Sequence, residues 1–77
     1  MRAVPKDTES PFLRKVGARI KQLRDERKLS QAMLSKRSGV NRVYLSGIER
    51  GIRNLTILHL SRIARALRVP PGSLLDD

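Results

Sequence analysis

A short stretch in the middle of the chain, VNRVYLSGIERG at residues 40–51, contains side chains that could read the base edges of DNA. A helix turns by about 100° per residue, which places Arg42, Val43, Ser46 and Arg50 within one arc of about 100°. Arginine forks match the O6 and N7 acceptors of guanine, and a small apolar group can contact the thymine methyl. This arc contains no Glu or Lys, the residues that ordinarily solubilise a helix surface. The face therefore has the composition of a base-reading surface, although a solvated face with accidental arginines would show the same pattern.

Gly47 raises a separate question, because glycine in a helix interior costs about 1 kcal/mol relative to alanine. Its angle, about 140° from Arg42, puts it beside the arginine face. One interpretation is that the missing side chain lets the helix backbone approach the wall of a DNA groove. The other is that it lets another part of the protein pack closely. The sequence leaves both interpretations open.

The charge of the chain favours a polyanionic partner. There are 17 Lys and Arg residues against seven Asp and Glu, which gives a formal net charge of +10. Between residues 10 and 75 the only acids are Asp25, Glu26 and Glu49. Such an excess points to nucleic acid first and to an acidic membrane surface second. Charge that serves only solubility is the plainer alternative.

The sequence disfavours several classes of function. There is no cysteine, and the single histidine, His59, has no carboxylates at ligand spacing, so we expect no metal site and no cofactor. We find no nucleophile–base pair or phosphate-binding loop, so we expect no enzyme activity. No apolar run reaches the roughly 20 residues of a membrane span, and MRAVPKDTESPF lacks the apolar region of a signal peptide. We therefore expect a cytoplasmic protein with no membrane and no small-molecule partner.

The pattern of apolar residues predicts helices and no strands. Residues 1–10 show no apolar period and are predicted to form a flexible N-terminal arm, and residues 11–77 to form one domain. Helix one begins at Pro11 behind the cap residue Ser10 and ends near the basic run RDERK. Its apolar stripe recurs at steps of three and four residues, at Leu13, Val16, Ile20 and Leu23.

Two short helices separated by a glycine turn follow. Helix two is predicted at about residues 30–38, with Ser30 as its cap and Gly39 as a left-handed residue at its end. Helix three is predicted at about residues 41–50, with Asn41 as its cap. This is the layout of a helix-turn-helix unit.

Helix four and a short terminal element complete the predicted domain. Thr56 caps helix four, which ends before Pro70 and Pro71. Its apolar residues keep helical spacing and are expected to face the core: Ile57, Leu60, Ile63, Ala64 and Leu67. The final GSLL forms a short fifth helix or turn.

The stretch LSQAMLSKRSGVNRVYLSGIERG resembles the phage-repressor-like helix-turn-helix family, also called the Xre type, and the resemblance runs from about Val16 to Leu75. Its markers are SQ opening helix two, Gly39 at the turn and IERG closing helix three. The resemblance implies an all-α, five-helix phage-repressor-like domain that binds DNA, with a short fifth helix. The longer string YLSGIERGIRNLT, in a chain of 77 residues, is most similar to the controller proteins of restriction–modification systems. Those are small dimeric regulators that bind operator DNA upstream of their own gene and the endonuclease gene.

The resemblance also implies roles for individual positions. The positions that face base edges correspond to Arg42, Val43 and Ser46. The positions at the DNA backbone or groove rim correspond to Gln31, Asn41, Tyr44, Arg50, Arg53 and Asn54. Arg24 and Glu49 fall where the family often has a buried ion pair, which would position helix three more than it stabilises the domain.

Three positions depart from the family pattern. Ser35 stands where alanine is favoured, so its hydroxyl needs a partner. Met33 replaces the usual glutamate, which removes a negative charge near the phosphates. Val43 stands at a base-facing position that is often polar, so the DNA sequence read cannot be inherited from the family.

Useful specificity requires more base contacts than one domain presents. We therefore predict a homodimer, with two recognition helices about 34 Å apart on a pseudo-palindromic operator in double-stranded DNA. The apolar residues outside the predicted core stripes give the interface: Leu58, Val69, Leu74 and Leu75. The alternative is that some of these residues cover the core of the monomer. His59 is expected at the surface or the interface, and not as a ligand.

Two other functions fit the same sequence. The antitoxin of a toxin–antitoxin pair is also Xre-like and autoregulating, and a neighbouring toxin gene would identify it. A basic protein-interaction module would dock on an acidic partner without reading DNA. Neither the operator sequence, nor activation against repression, nor an effector follows from these residues.

Overall fold

The computed structural model describes residues 10–75, which form four α-helices and one turn of 3₁₀ helix. The elements are α1, Pro11–Glu26; α2, Gln31–Ser38; α3, Arg42–Glu49; α4, Ile57–Leu67; and the 3₁₀ turn, Pro71–Leu74. No strand occurs in this part of the chain. The all-α prediction is confirmed, and the predicted fifth helix is the 3₁₀ turn. Apart from Ser10, the predicted N-terminal arm lies outside the described residues.

Each α-helix begins at a polar side chain that accepts a hydrogen bond from a backbone N–H of the first turn. The four acceptors are the predicted caps Ser10, Ser30, Asn41 and Thr56. Such caps satisfy N–H groups that have no partner within the helix, and each stabilises by about 1 kcal/mol. The short helices α2 and α3 gain most, because isolated helices below about 12 residues are marginal in water.

The core lies between α1, α3 and α4, with α2 closing it from the side of the turn. Its buried apolar side chains are Val16, Ile20, Leu23, Leu29, Leu34, Val40, Leu45, Ile48, Ile63, Ala64, Leu67 and Leu74. Every α-helix contributes to this set, so the short helices are held by packing as well as by their caps.

Two sequence predictions about apolar residues are wrong. Ile57 was expected in the core but is 85% exposed. It is the first residue of α4, and because helical side chains tilt towards the N-terminus, its side chain projects past the end of the helix. Leu74 was expected at a subunit interface but is only 1% exposed, because the 3₁₀ turn folds it into the core.

Gly17 lets α1 pass very close to the end of α3. A Cβ at this position would lie 2.3 Å from the carbonyl oxygen of Ile48 and 2.7 Å from that of Glu49. Both are backbone atoms, so they cannot move without moving the helix. The position of α3, which carries the arginine face, is therefore set by α1 through a residue without a side chain.

We expect Gly17→Ala to lower the free energy of unfolding by about 1–3 kcal/mol, since α1 and α3 must move apart to admit the methyl group. Alanine is otherwise the better helix former by about 1 kcal/mol, so a net loss isolates the contact with α3. Urea denaturation measures the change, with Gly72→Ala as the matched control, because a Cβ at Gly72 meets no atom within 4 Å. An unchanged midpoint for Gly17→Ala would contradict the close packing.

Candidate nucleic-acid interface

The turn between α2 and α3 is fixed by side chains as well as by Gly39. Gly39 has φ = 77°, the left-handed conformation that ends α2. The hydroxyl of Ser38 accepts a hydrogen bond from the backbone N–H of Val40 at 3.1 Å. The hydroxyl of Ser35 donates to the carbonyl oxygen of Val40, which is the partner that its departure from alanine requires. Val40 itself is buried, so the turn cannot swing outward without exposing it.

A buried ion pair holds α3 from its far end. Nε of Arg24 donates to Oε2 of Glu49 at 2.7 Å, and Nη2 donates to Oε1 at 3.0 Å, which makes the pair bidentate. Nη1 of Arg24 donates to the carbonyl oxygen of Leu29 at 2.8 Å, and the amide of Gln31 donates to Oε1 of Glu49 at 3.0 Å. One carboxylate therefore connects the end of α1, the loop after it, the start of α2 and the end of α3.

This network fixes the angle between α2 and α3. Hydrogen bonding to Glu49 raises the pKa of the Arg24 guanidinium above its ordinary value, so the charge of Arg24 persists at every working pH. A raised pKa means that the contribution of the pair is lost only as the pH rises beyond the ordinary arginine range. Ionic strength also has little access to the pair, because both side chains are buried.

The opposite side of α3 is open to solvent. Arg42 and Arg50 are exposed, Val43 is 71% exposed, and Ser46 is half-buried. Leu45 and Ile48 are buried and face inward. The division between a wet and a dry side of this helix is therefore the one expected from the 100° spacing.

Tyr44 lies at the edge of the open face and holds the loop after α3. Its hydroxyl donates to the carbonyl oxygen of Asn54, and its ring contacts the ring of His59 at a centroid distance of 4.6 Å. Nδ1 of His59 is 3.0 Å from the hydroxyl of Thr56, the cap of α4. The predicted rim residue Tyr44 thus has a structural contact of its own, and His59 belongs to this cluster.

Gly47 is buried beneath the side chain of Arg53. A Cβ at Gly47 would lie 2.4 Å from Cγ of Arg53, so the aliphatic stem of the arginine occupies the space that a side chain would need. Of the two interpretations left open by the sequence, the structure contains the packing contact. Sequence reasoning missed that Arg53 makes this contact, because residues 47 and 53 are separated by a loop whose path no periodicity describes.

The remaining predicted rim residues are accessible. Asn41 and Asn54 are exposed and Gln31 is half-buried. Oδ1 of Asn41 caps α3 by accepting from the backbone N–H groups of Val43 at 2.8 Å and Tyr44 at 3.2 Å. Gln31 is partly committed to Glu49, as described above.

The predicted interface residues have unequal exposure. Leu58 is 57% exposed and Leu75 is 43% exposed, whereas Val69 is half-buried against the core. Leu74 is removed from the set, because a side chain inside the monomer core cannot meet a second subunit. Ile57, next to Leu58, adds exposed apolar surface that the sequence analysis had placed in the core.

Two searches of residues 10–75 concern other kinds of site. They contain no group of three or more His, Cys, Asp or Glu that could hold a metal ion. None of the helices described is long and apolar enough to cross a membrane.

Two short helices at a fixed angle, with a guanidinium-bearing face on the second, define a helix-turn-helix domain. The helix-turn-helix family model HTH_3 matches residues 20–74, and the chain belongs to this phage-repressor-like family.

Similar proteins are regulators of gene expression. The control protein C.BamHI of Bacillus amyloliquefaciens is 38% identical over 61 residues, which cover 78% of this chain and 75% of the relative. The transcriptional regulator SinR of Bacillus subtilis is 40% identical over 63 residues, 80% of this chain and 57% of SinR.

Solved structures of similar proteins have the same fold. The restriction–modification controller protein C.AhdI from Aeromonas hydrophila has a TM-score of 0.79 at 40% identity, covering 80% of this chain and 94% of its own. The controller protein C.Esp1396I, solved as a tetramer with its natural 35-base-pair operator, has a TM-score of 0.79 at 42% identity, covering 86% of this chain and 87% of its own. SinR in complex with DNA has a TM-score of 0.76 at 40% identity, covering 79% of this chain and 98% of its own.

Proposed function

We propose that this protein is a sequence-specific DNA-binding transcriptional regulator that acts as the controller of a restriction–modification system. The observation that carries the proposal is the division of α3, whose inner side is anchored by Glu49 while its outer side exposes Arg42 and Val43. The similarity to C.BamHI, C.AhdI and C.Esp1396I supports the narrower assignment to controller proteins.

In the proposed complex α3 lies in the major groove. Arg42 donates both arms of its guanidinium to a guanine, Val43 contacts a thymine methyl, and Ser46 adds a hydroxyl next to them. Backbone phosphates are bound at the rim by Gln31, Asn41, Tyr44, Arg50, Arg53 and Asn54. The formal charge of +10 adds sequence-independent attraction, which falls steeply as salt concentration rises.

The proposed protein binds as a homodimer on a pseudo-palindrome. The exposed apolar residues Leu58 and Leu75, with Val69 beside the core, supply the proposed contact between subunits. A two-fold dimer places two copies of α3 about 34 Å apart, one turn of DNA.

Selection of binding sites from random duplexes tests the proposed function. The regulator is expected to enrich two related half-sites whose centres are about one helical turn apart. A protein-interaction module would enrich no motif at physiological salt, and that result would overturn the proposal. An antitoxin would also enrich a motif, and a toxin gene in place of a methyltransferase or endonuclease gene beside it would identify that function.

We expect Leu58→Lys to weaken dimerisation by about tenfold or more, because it places a charge in a desolvated contact. Sedimentation equilibrium measures the dimer dissociation constant. Ser61→Lys is the matched control, since it adds the same charge at an exposed position of the same helix. Equal dissociation constants for Leu58→Lys and the unmodified protein would remove Leu58 from the interface.

A further inference from the structure

The contact between Gly47 and Arg53 connects a buried glycine with the proposed DNA surface. A Cβ at Gly47 would lie 2.4 Å from Cγ, 3.4 Å from Cβ and 3.5 Å from Cδ of Arg53. The stem of Arg53 therefore lies along the bare backbone of α3, at a position where every other residue type has a side chain. Arg53 as a whole remains exposed, so only its stem is covered by this contact.

The segment that carries Arg53 is attached to α3 on both sides of it. Before Arg53, the backbone N–H of Ile52 donates to the carbonyl oxygen of Gly47 at 3.0 Å. After it, the carbonyl oxygen of Asn54 accepts from the hydroxyl of Tyr44. The backbone at Arg53 is thus fixed relative to α3, and the freedom that remains belongs to its side chain.

We propose that Gly47 is a positioning residue for the DNA-backbone contact of Arg53, an inference that rests on the proposed function. The bare backbone at Gly47 gives the arginine stem a flat surface, which keeps the guanidinium beside the base-reading face. Ordering a long side chain before binding reduces the rotamer entropy lost when the phosphate is bound. A side chain at residue 47 would displace the stem and remove this ordering.

The atoms at the contact decide where a substitution would act. The atoms nearest to the added Cβ at Gly47 belong to the flexible side chain of Arg53, whereas at Gly17 they belong to the backbone. The chain accommodates Gly47→Ala by moving Arg53 and leaves α3 in place. Alanine also favours the helix, so the substitution is compatible with folding.

A double-mutant cycle tests this inference. Affinities are measured for the unmodified protein, Gly47→Ala, Arg53→Ala and the double variant, on a duplex selected by the unmodified protein and on a random-sequence duplex of equal length. Gly47→Ala is expected to weaken both duplexes by a similar factor, about three- to tenfold, and to reduce the log–log salt slope by about one. In the Arg53→Ala background the same substitution is expected to change neither quantity.

Gly72→Ala is the matched control, because a Cβ there meets no atom within 4 Å and the residue lies in the 3₁₀ turn, outside α3. Far-ultraviolet circular dichroism confirms that each variant retains its helix content at the temperature of the binding assay. An equal loss from Gly47→Ala in both backgrounds would overturn the inference, as would full affinity for Gly47→Ala when Arg53 is present. If the unmodified protein bound neither duplex, the proposed function itself would be overturned.

Discussion

Glu49→Ala is expected to lower the free energy of unfolding by about 3–5 kcal/mol, which is much of the stability of a small domain. The substitution leaves the guanidinium of Arg24 buried without its carboxylate, and it removes the acceptor of the Gln31 amide. Water cannot replace these contacts without opening the junction between α1, α2 and α3. Urea denaturation followed by circular dichroism measures the loss.

Asp25→Ala is the matched control for this prediction. It removes the same charge, and Oδ1 of Asp25 is 3.6 Å from Nη1 of Arg24, but the side chain is exposed. Solvent screens such pairs, so its loss is expected to stay below about 1 kcal/mol. Equal losses for Asp25→Ala and Glu49→Ala would show that the charge of the acid matters and its buried position does not.

A second variant separates the ion pair from the packing around it. Replacing both partners, Arg24→Met with Glu49→Leu, is expected to recover a substantial part of the stability lost by Glu49→Ala, because no unpaired buried charge remains. The same double variant is expected to bind DNA less specifically, since the angle between α2 and α3 is no longer fixed by hydrogen bonds.

The sequence predicted the helices well because their signals are local. The caps Ser10, Ser30, Asn41 and Thr56 act within one turn of the residue that each one caps, so they can be recognised without knowing the fold. The 100° spacing likewise separated the wet side of α3 from Leu45 and Ile48.

Long-range contacts were predicted only where a family resemblance supplied them. Arg24 and Glu49 are 25 residues apart, and no periodicity relates them, so their pairing came from the resemblance alone. Gly17 offered a signal, a glycine inside an amphipathic helix, but its partners on α3 depend on how two helices cross.

The errors at Ile57 and Leu74 have one cause, which is the ends of elements. Helical spacing assigns a face to a residue but does not say whether the helix continues past it. Ile57 starts α4 and has no earlier turn to pack beside it, whereas Leu74 is returned to the core by a turn after two prolines. The path of residues 51–54 across α3 is of the same kind, which is why the contact of Arg53 with Gly47 could not be derived.

Arg42→Ala is expected to reduce the preference for the selected site over random DNA by about 1–3 kcal/mol for each guanine contacted. The guanidinium is lost from a site where its two donors meet two acceptors, so the remaining base edge is left without partners. Arg42 is exposed and is the first residue of α3, so the fold does not depend on its side chain. The effect is therefore expected in specificity and not in stability.

The most direct test of α3 as the base-reading element is the ratio of two dissociation constants. The constants for the selected duplex and for a random-sequence duplex are measured at one fixed salt concentration, for the unmodified protein, Arg42→Ala and the control Arg53→Ala. The ratio is predicted to fall about 5- to 150-fold in Arg42→Ala, while Arg53→Ala weakens both duplexes and leaves the ratio nearly constant. An unchanged ratio in Arg42→Ala would contradict the assignment of α3 as the base reader.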